Sequence, residues 1–221
     1  MSARRIVIAI DGPAGAGKST LARRLAERLG FTYIDTGAMY RAVALWALRQ
    51  NMDLTDAHRM EQLAAASSID FRPQVILNGE DVSAAIRTPE VSAAASTVAA
   101  LAGVRRALVA RQREIAASTS VVMEGRDIGT VVFPGADVKI FLDADPAERL
   151  RRRAAETGAS PGSLAGQMQE RDQRDRGRAE SPLVQAPDAL YIDSTGLSLE
   201  EAEEAILRVI RAKTSNGKEF S

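Results

Sequence analysis

The chain is 221 residues long, 45% apolar and 26% charged, and its 29 basic side chains balance its 29 acidic ones. This is globular composition: it excludes intrinsic disorder, which needs low hydrophobicity and a large net charge, and argues against a purely electrostatic nucleic-acid binder. The absence of cysteine excludes disulfides, thiolate metal sites and cysteine nucleophiles, and with no apolar run of about 18 residues and no signal-peptide pattern the expectation is a cytoplasmic protein.

The first predicted element is a β-branched run, Ile6 to Ile10, which reads as a strand buried on both faces and so as part of a parallel sheet. A Gly-rich turn, Asp11 to Gly17, leads into a predicted helix over Lys18 to Leu29, with Leu21, Leu25 and Leu29 at i+4 spacing and Gly30 as its stop. A second strand is expected over Phe31 to Ile34, a polar turn at Asp35-Thr36-Gly37, and a helix over Ala38 to Gln50. This strand–turn–helix repetition predicts an α/β fold. The alternation is then interrupted. A helix is predicted over Asp53 to Ala66, a hairpin over Ser68 to Asp81 turning at Asn78-Gly79, and two Ala-rich helices over Pro89 to Ala102 and Val104 to Ala117. Strands are expected again at Val121 to Met123, Val138 to Leu142 and Leu190 to Ile192, with a last helix over Leu199 to Ala212 and a frayed tail beyond.

The turn after the first strand carries Gly12, Pro13, Ala14, Gly15, Ala16, Gly17, Lys18 and Ser19, a match to G-x-x-x-x-G-K-[ST]. Glycines let the main chain wrap a phosphate closely, successive N–H groups point at the anion, and the following helix adds its positive end. Lys18 is placed to reach the β and γ phosphates and the Ser19 hydroxyl to ligate Mg²⁺. The pattern arises by chance about once per hundred chains, but its position between a strand and a helix is what the mechanism requires. A nucleoside triphosphate with Mg²⁺ is therefore expected.

Of the 29 basic residues only Lys18, Lys139, Lys213 and Lys218 are lysine, leaving 25 arginines. Arginine recognises phosphate through a planar fork; composition bias alone can raise the total, so position decides which matter. Leu164, Met168, Arg171, Asp175 and Arg178 form one helical stripe, apolar at one end and charged at the other. Either the charges make an internal ladder or they face an anionic ligand. Upstream, Asp145 reads as an N-cap with Pro146 at the first helical position and Glu148 completing a capping box, before Arg149, Arg151, Arg152 and Arg153. Between Arg149 and Arg178 eight arginines face four acids, and Thr157 to Ser163 contains Gly158, Pro161 and Gly162. That combination suggests a hinged lid able to close on phosphates, with two of the four arginines on the first helix spent on surface pairs such as Arg152–Glu156. Two further polar groups follow strands: Asp35 to Arg41, and Glu124-Gly125-Arg126-Asp127. Arg41 and Arg126 are suited to bidentate contact with a second phosphate.

These residues resemble the bacterial cytidylate kinases, within the nucleoside monophosphate kinases of the P-loop class. The resemblance rests on Asp11 to Ser19, Asp35 to Arg41, Gly79 to Val82 with Ile86 to Thr88, Gly125 to Phe133, Lys139 to Ala144 and Glu170 to Arg176, and spans nearly the whole chain. It implies a parallel P-loop kinase sheet flanked by helices in a single domain over 1–213, with a core of 1–35, 118–146 and 178–213. A monophosphate-binding insertion is implied at about 36–117, a small helical lid at about 147–177, and a flexible tail over 214–221. It implies ATP contacts from Gly12 through Thr20 and from Arg149 and Arg153. Arg41 and Arg126 would hold the acceptor phosphate; Thr36, Asp127, Arg105 and Arg178 would read cytosine; Ser96, Arg171 and Asp175 would contact the pentose, with Tyr40 lining the pocket. Lys18, Arg126 and Asp127 are the implied catalytic residues. The implied reaction moves the γ-phosphate of ATP to CMP or dCMP. A monophosphate is already largely dianionic at neutral pH, so no protein base is needed, and His58, the only histidine, reads as surface structure. The expected partners are small substrates, without nucleic acid or membrane, and the chain is expected to be a monomer. Two alternatives are a kinase for a non-nucleotide acceptor, which would need a base and leave Thr36, Arg105 and Asp175 without a task, and a nucleotide-gated switch.

Overall fold

A computed structural model describes residues 4–71 and 74–214. It divides into two compact units, one built from the chain before Asp35 together with residues from Ala116 onward, the other from Asp35–Ile115.

The first unit is a five-stranded parallel sheet flanked by helices. Its strands are β1 (Val7–Asp11), β2 (Thr32–Asp35), β6 (Val121–Gly125), β7 (Val138–Asp143) and β8 (Leu190–Asp193), in the order β2-β6-β1-β7-β8. Val7 to Asp11 lie opposite Val121 to Gly125, and Ile8 to Asp11 opposite Val138 to Phe141, both pairings parallel. The continuous apolar runs in β1 and β7 follow from this, since helices cover both faces of such a sheet. Helix α1 (Lys18–Leu29) has the predicted bounds, ended by Gly30 in the left-handed conformation. Helix α8 (Leu199–Thr214) packs on it, and Arg24 and Arg28 bridge to Glu200, Glu203 and Glu204. Helices α6 (Pro146–Thr157) and α7 (Pro161–Gly177) form a pair. The expected tail beyond Thr214 lies outside the described residues.

The second unit is mainly helical: α2 (Thr36–Arg49), α3 (Ala57–Ala66), α4 (Pro89–Val98) and α5 (Ala102–Ala116), with a small sheet of β3 (Ile69–Phe71), β4 (Val75–Leu77) and β5 (Glu80–Asp81). Its core gathers Met39, Val43, Met60, Ile69, Ile86, Val98 and Leu108.

The structure corrects several boundaries. Thr36 and Gly37 are not a turn: Asp35 caps α2 by accepting from the Ala38 amide at 2.9 Å, which draws both residues into its first turn. Helix α3 starts four residues late, because Asp53 forms a local turn with Thr55 and Asp56 caps the helix. The predicted hairpin has a third strand, although its Asn78-Gly79 turn is present, both residues having positive φ. The first Ala-rich helix ends at Val98, where i→i+3 bonds from Ala100 and Leu101 tighten the chain and a 99° bend leads into α5. Glu148 does not complete a capping box. Asp145 caps α6 alone, its own amide donates to Thr195 Oγ1, and Glu148 instead accepts from Arg151 and Arg152.

Candidate active site

The carboxyl end of β1 runs into the Gly-rich loop. A Cβ at Gly12 would lie 1.9 Å from the Leu142 carbonyl oxygen, and one at Gly15 2.6 Å from that of Arg149. The loop is thus wedged between β7 and the first turn of α6, and only glycine fits. The Ala14 carbonyl accepts from Arg149 Nη1 at 3.1 Å and the Ala16 carbonyl from Arg152 Nη1 at 3.5 Å. These bonds hold the Ala14 and Ala16 carbonyls against α6. Lys18, the first residue of α1, is buried and its ammonium donates to the Pro13 carbonyl at 2.6 Å. Burial, then repulsion from Arg126 and Arg171, lowers its pKa to about 7, against attraction to Glu124 and Asp11. Ser19 and Thr20 are exposed at the helix start.

The second polar group of this unit follows β6. Glu124 is buried and accepts from the Tyr33 hydroxyl at 2.5 Å. Arg126 Nε donates to Asp175 Oδ2 at 2.8 Å. Arg178 also donates to Asp175, and Arg171 Nε lies 4.0 Å from it. The three arginines named from sequence therefore converge on one carboxylate that is 1% exposed. Burial works to raise the Asp175 pKa, but Arg126, Arg178 and Arg171 outweigh it and hold the carboxyl below its usual range. The charged end of the predicted stripe is thus inward, whereas Leu164 and Met168 are only half-buried; Asp175 is the one buried residue of α7. Asp127 is buried and its carbonyl accepts from the Val131 and Val132 amides, opening a π-helical turn over Ile128–Val132 that the sequence did not signal.

The lid arginines divide. Arg149 is buried on the Ala14 and Ala144 carbonyls and pairs with Asp172 Oδ2 at 2.7 Å. Arg152 does not pair with Glu156; it joins Glu148, the Ser194 carbonyl and hydroxyl, and the loop. Arg151 and Arg153 make surface pairs with Glu148 and Glu156.

In the second unit, α2 carries Thr36, Tyr40 and Arg41, α4 carries Ser96 and α5 carries Arg105. All but Arg41 are buried, and Arg41 is nearly so. Arg41 Nη2 donates to Asp35 at 2.8 Å, across Gly37, where a Cβ would meet the guanidinium at 3.0 Å. Burial opposes ionisation of Asp35, yet Arg41 and the Ala38 amide hold its pKa below the usual range. Arg41 Nε is buried with no hydrogen-bond partner among the described residues. The Arg105 guanidinium stacks over the Tyr40 ring at 5.5 Å and donates to the Ala99 carbonyl. Sequence reasoning missed Asp11, Tyr33 and Ser194. All three act through partners remote in sequence: Asp11 through Ile128 and Gly129, Tyr33 through Glu124, and Ser194 through Ala16.

The comparisons with known proteins agree with this chemistry. A family model described as cytidylate kinase matches residues 8–212. A cytidylate kinase of Solibacter usitatus (strain Ellin6076) is 65% identical, covering 99% of this chain and 97% of that protein. A cytidylate kinase of Lysinibacillus sphaericus (strain C3-41) is 48% identical over 95% of this chain and 98% of that one. Among solved structures, a gluconokinase from Sinorhizobium meliloti 1021 superposes with a TM-score of 0.51 at 19% identity, over 96% of this chain and 97% of that one, which is a likeness of fold alone.

Proposed function

The chain belongs to the cytidylate kinase family, and from that premise we propose how its own residues carry the transfer of the γ-phosphate of ATP to CMP or dCMP. The family assignment sets aside both the non-nucleotide acceptor and the nucleotide-gated switch.

The observation that carries the reading is the convergence of Arg126 and Arg178 on the buried Asp175, with Arg171 at 4.0 Å, in the same unit as the glycine-wedged loop and the buried Lys18. Guanidinium groups suited to a second phosphate thus belong to the unit that carries the phosphate loop. In the proposal, loop amides and the start of α1 hold the triphosphate, with Gly12 through Thr20, Arg149 and Arg153 as the donor contacts. The sheet unit supplies Arg126 for the acceptor phosphate, Asp127 and Arg178 for the base, and Arg171 and Asp175 for the pentose. The helical unit supplies Arg41 for phosphate, Thr36 and Arg105 for the base, Ser96 for the pentose and Tyr40 for the pocket wall. The unpartnered Nε of Arg41 supports its role, since a buried donor without an acceptor calls for one.

Mg²⁺ fits the same residues. Such an ion keeps most of its water and takes few protein oxygens; Ser19 offers an exposed hydroxyl, and no cluster of three or more His, Cys, Asp or Glu able to hold a metal occurs among the described residues. When bound, the ion would neutralise charge on the triphosphate. Lys18 would leave the Pro13 carbonyl for the β and γ phosphates. Arg126 and Arg171 would stabilise charge spread over the transferring group. The acceptor oxygen attacks as a phosphate dianion, so no side chain need remove a proton.

The test is ADP release from Mg·ATP with CMP, dCMP, UMP, AMP or no acceptor. The reading requires turnover with CMP and dCMP far above that with AMP or water. Equal rates with and without acceptor would refute it.

A further inference from the structure

The carboxylate of Asp11 is 4% exposed and accepts two main-chain bonds from a segment more than a hundred residues away: Ile128 N–H to Oδ1 at 2.8 Å and Gly129 N–H to Oδ2 at 2.7 Å. These are adjacent amides at the head of the π-helical turn that directly follows Arg126 and Asp127. The two N–H groups address different oxygens, and an asparagine in the same pose would turn its NH2 toward one of them. The fit is close. A Cβ at Gly129 would stand 3.3 Å from Asp11 Oδ2 and 3.2 Å from Lys139 Cδ. At its other flank Asp11 is the last residue of β1, and the next residue, Gly12, begins the phosphate loop against the Leu142 carbonyl.

We propose that Asp11 is a positioning residue for the acceptor: through the amides of Ile128 and Gly129 it fixes the turn bearing Arg126 and Asp127, and ties that turn to the origin of the phosphate loop. It touches neither substrate. Its role is to set the place of two groups that do. Burial raises the Asp11 pKa to about 6, the two amides and Lys18 work against that, and Asp127 adds to it. A buried carboxylate kept at that cost is consistent with a geometric task that a neutral side chain cannot fill. The inference rests on the assignment of Arg126 and Asp127 to the acceptor.

The experiment compares Asp11→Asn, Gly129→Ala and, as a reference, Asp127→Ala. Each is measured for CMP and UMP kinetics at saturating Mg·ATP, and for ATP affinity by calorimetry without acceptor. Asp11→Asn should raise KM for CMP about tenfold and narrow the CMP over UMP preference, while Kd for ATP stays within about threefold. Gly129→Ala, whose Cβ would crowd an intact carboxylate at 3.3 Å, should act in the same direction, and it decides the matter if Asp11→Asn does not fold. A KM and preference within about twofold of the parent, or an ATP affinity that falls as far as the acceptor's, overturns the positioning role. If Asp127→Ala itself leaves CMP kinetics unchanged, the acceptor assignment fails and takes the proposal with it. If Asp127→Ala acts and Asp11→Asn does not, only the positioning role is lost.

Discussion

Lys18 and Pro13 are joined by a 2.6 Å hydrogen bond from the buried ammonium to the carbonyl five residues back. The lysine is thus folded onto the loop it is meant to serve, desolvated and close to Arg126 and Arg171. That arrangement makes the ammonium expensive until a polyanion arrives.

The sign of the resulting pH effect is fixed. The Lys18 pKa is about 7 in the folded protein against 10.5 for an ordinary lysine. Between those values the unfolded chain binds more protons, so the stability of the ligand-free protein rises with pH. At pH 8 folded Lys18 is mostly neutral, and a bound triphosphate restores its charge. ATP binding at pH 8 should therefore take up close to one proton, read by calorimetry in buffers of different ionisation enthalpy. Lys18→Gln should abolish the uptake and lower kcat at least about a hundredfold while leaving the melting temperature equal or higher. An uptake that survives in the variant would assign the proton to another group.

Base choice should follow Asp127. An ionised carboxylate only accepts, so it suits the exocyclic amino group of cytosine and opposes the carbonyl of uracil. Asp127 is 5% exposed, where an unmatched acceptor is costly. Asp127→Ala should shrink the CMP/UMP ratio of kcat/KM by about ten- to a hundredfold. An unchanged ratio would show that another residue reads the base.

The phosphate loop and the α/β class were legible because they are local: a strand, a fixed glycine spacing and a helix start lie within about twenty residues. The inward Arg171–Asp175–Arg178 face was legible from helical period alone. What the sequence hid was pairing across distance. Glu148 fits a capping box by spacing, but two arginines within one turn outbid a backbone amide for its oxygens. Arg152 reads as a surface arginine, yet it donates to the Ala16 carbonyl and to Ser194, and Arg149 donates to the Ala14 carbonyl, partners that lie far away in the sequence. Asp35-Thr36-Gly37 has turn composition, yet the cap bond from the Ala38 amide to Asp35 draws Thr36 into the helix. The π-helical turn carries no composition signal, and the side chain that accepts its first two amides, Asp11, lies more than a hundred residues earlier.

The Asp175 cluster makes a stability prediction. Asp175→Asn leaves Arg126, Arg171 and Arg178 around a neutral group, and breaking a buried pair this way costs about 3–5 kcal/mol. The melting temperature should fall by on the order of 10 °C. Because the folded carboxyl titrates below its ordinary 3.8, its contribution is complete above that value and is lost as pH falls through the lower, folded one. The gap between parent and variant should therefore be flat from pH 8 to 5 and close only in stronger acid. A gap already closing at pH 6 would contradict an ionised Asp175.

Two glycines separate backbone strain from close approach. Gly30 ends α1 at φ +66 with nothing within 4 Å of an added Cβ, so Gly30→Ala meets only the left-handed penalty, about 1 kcal/mol. Gly12 has a positive φ as well, but its added Cβ would strike the Leu142 main-chain oxygen at 1.9 Å. No side-chain rotation relieves that contact; either β7 or the loop origin must move. Gly12→Ala should cost at least about 3 kcal/mol and abolish ATP binding in whatever fraction folds. Thermal melts of the two variants side by side measure the difference. Similar melting temperatures would mean that the seam between β1 and β7 yields, and that the loop is not wedged as its geometry indicates.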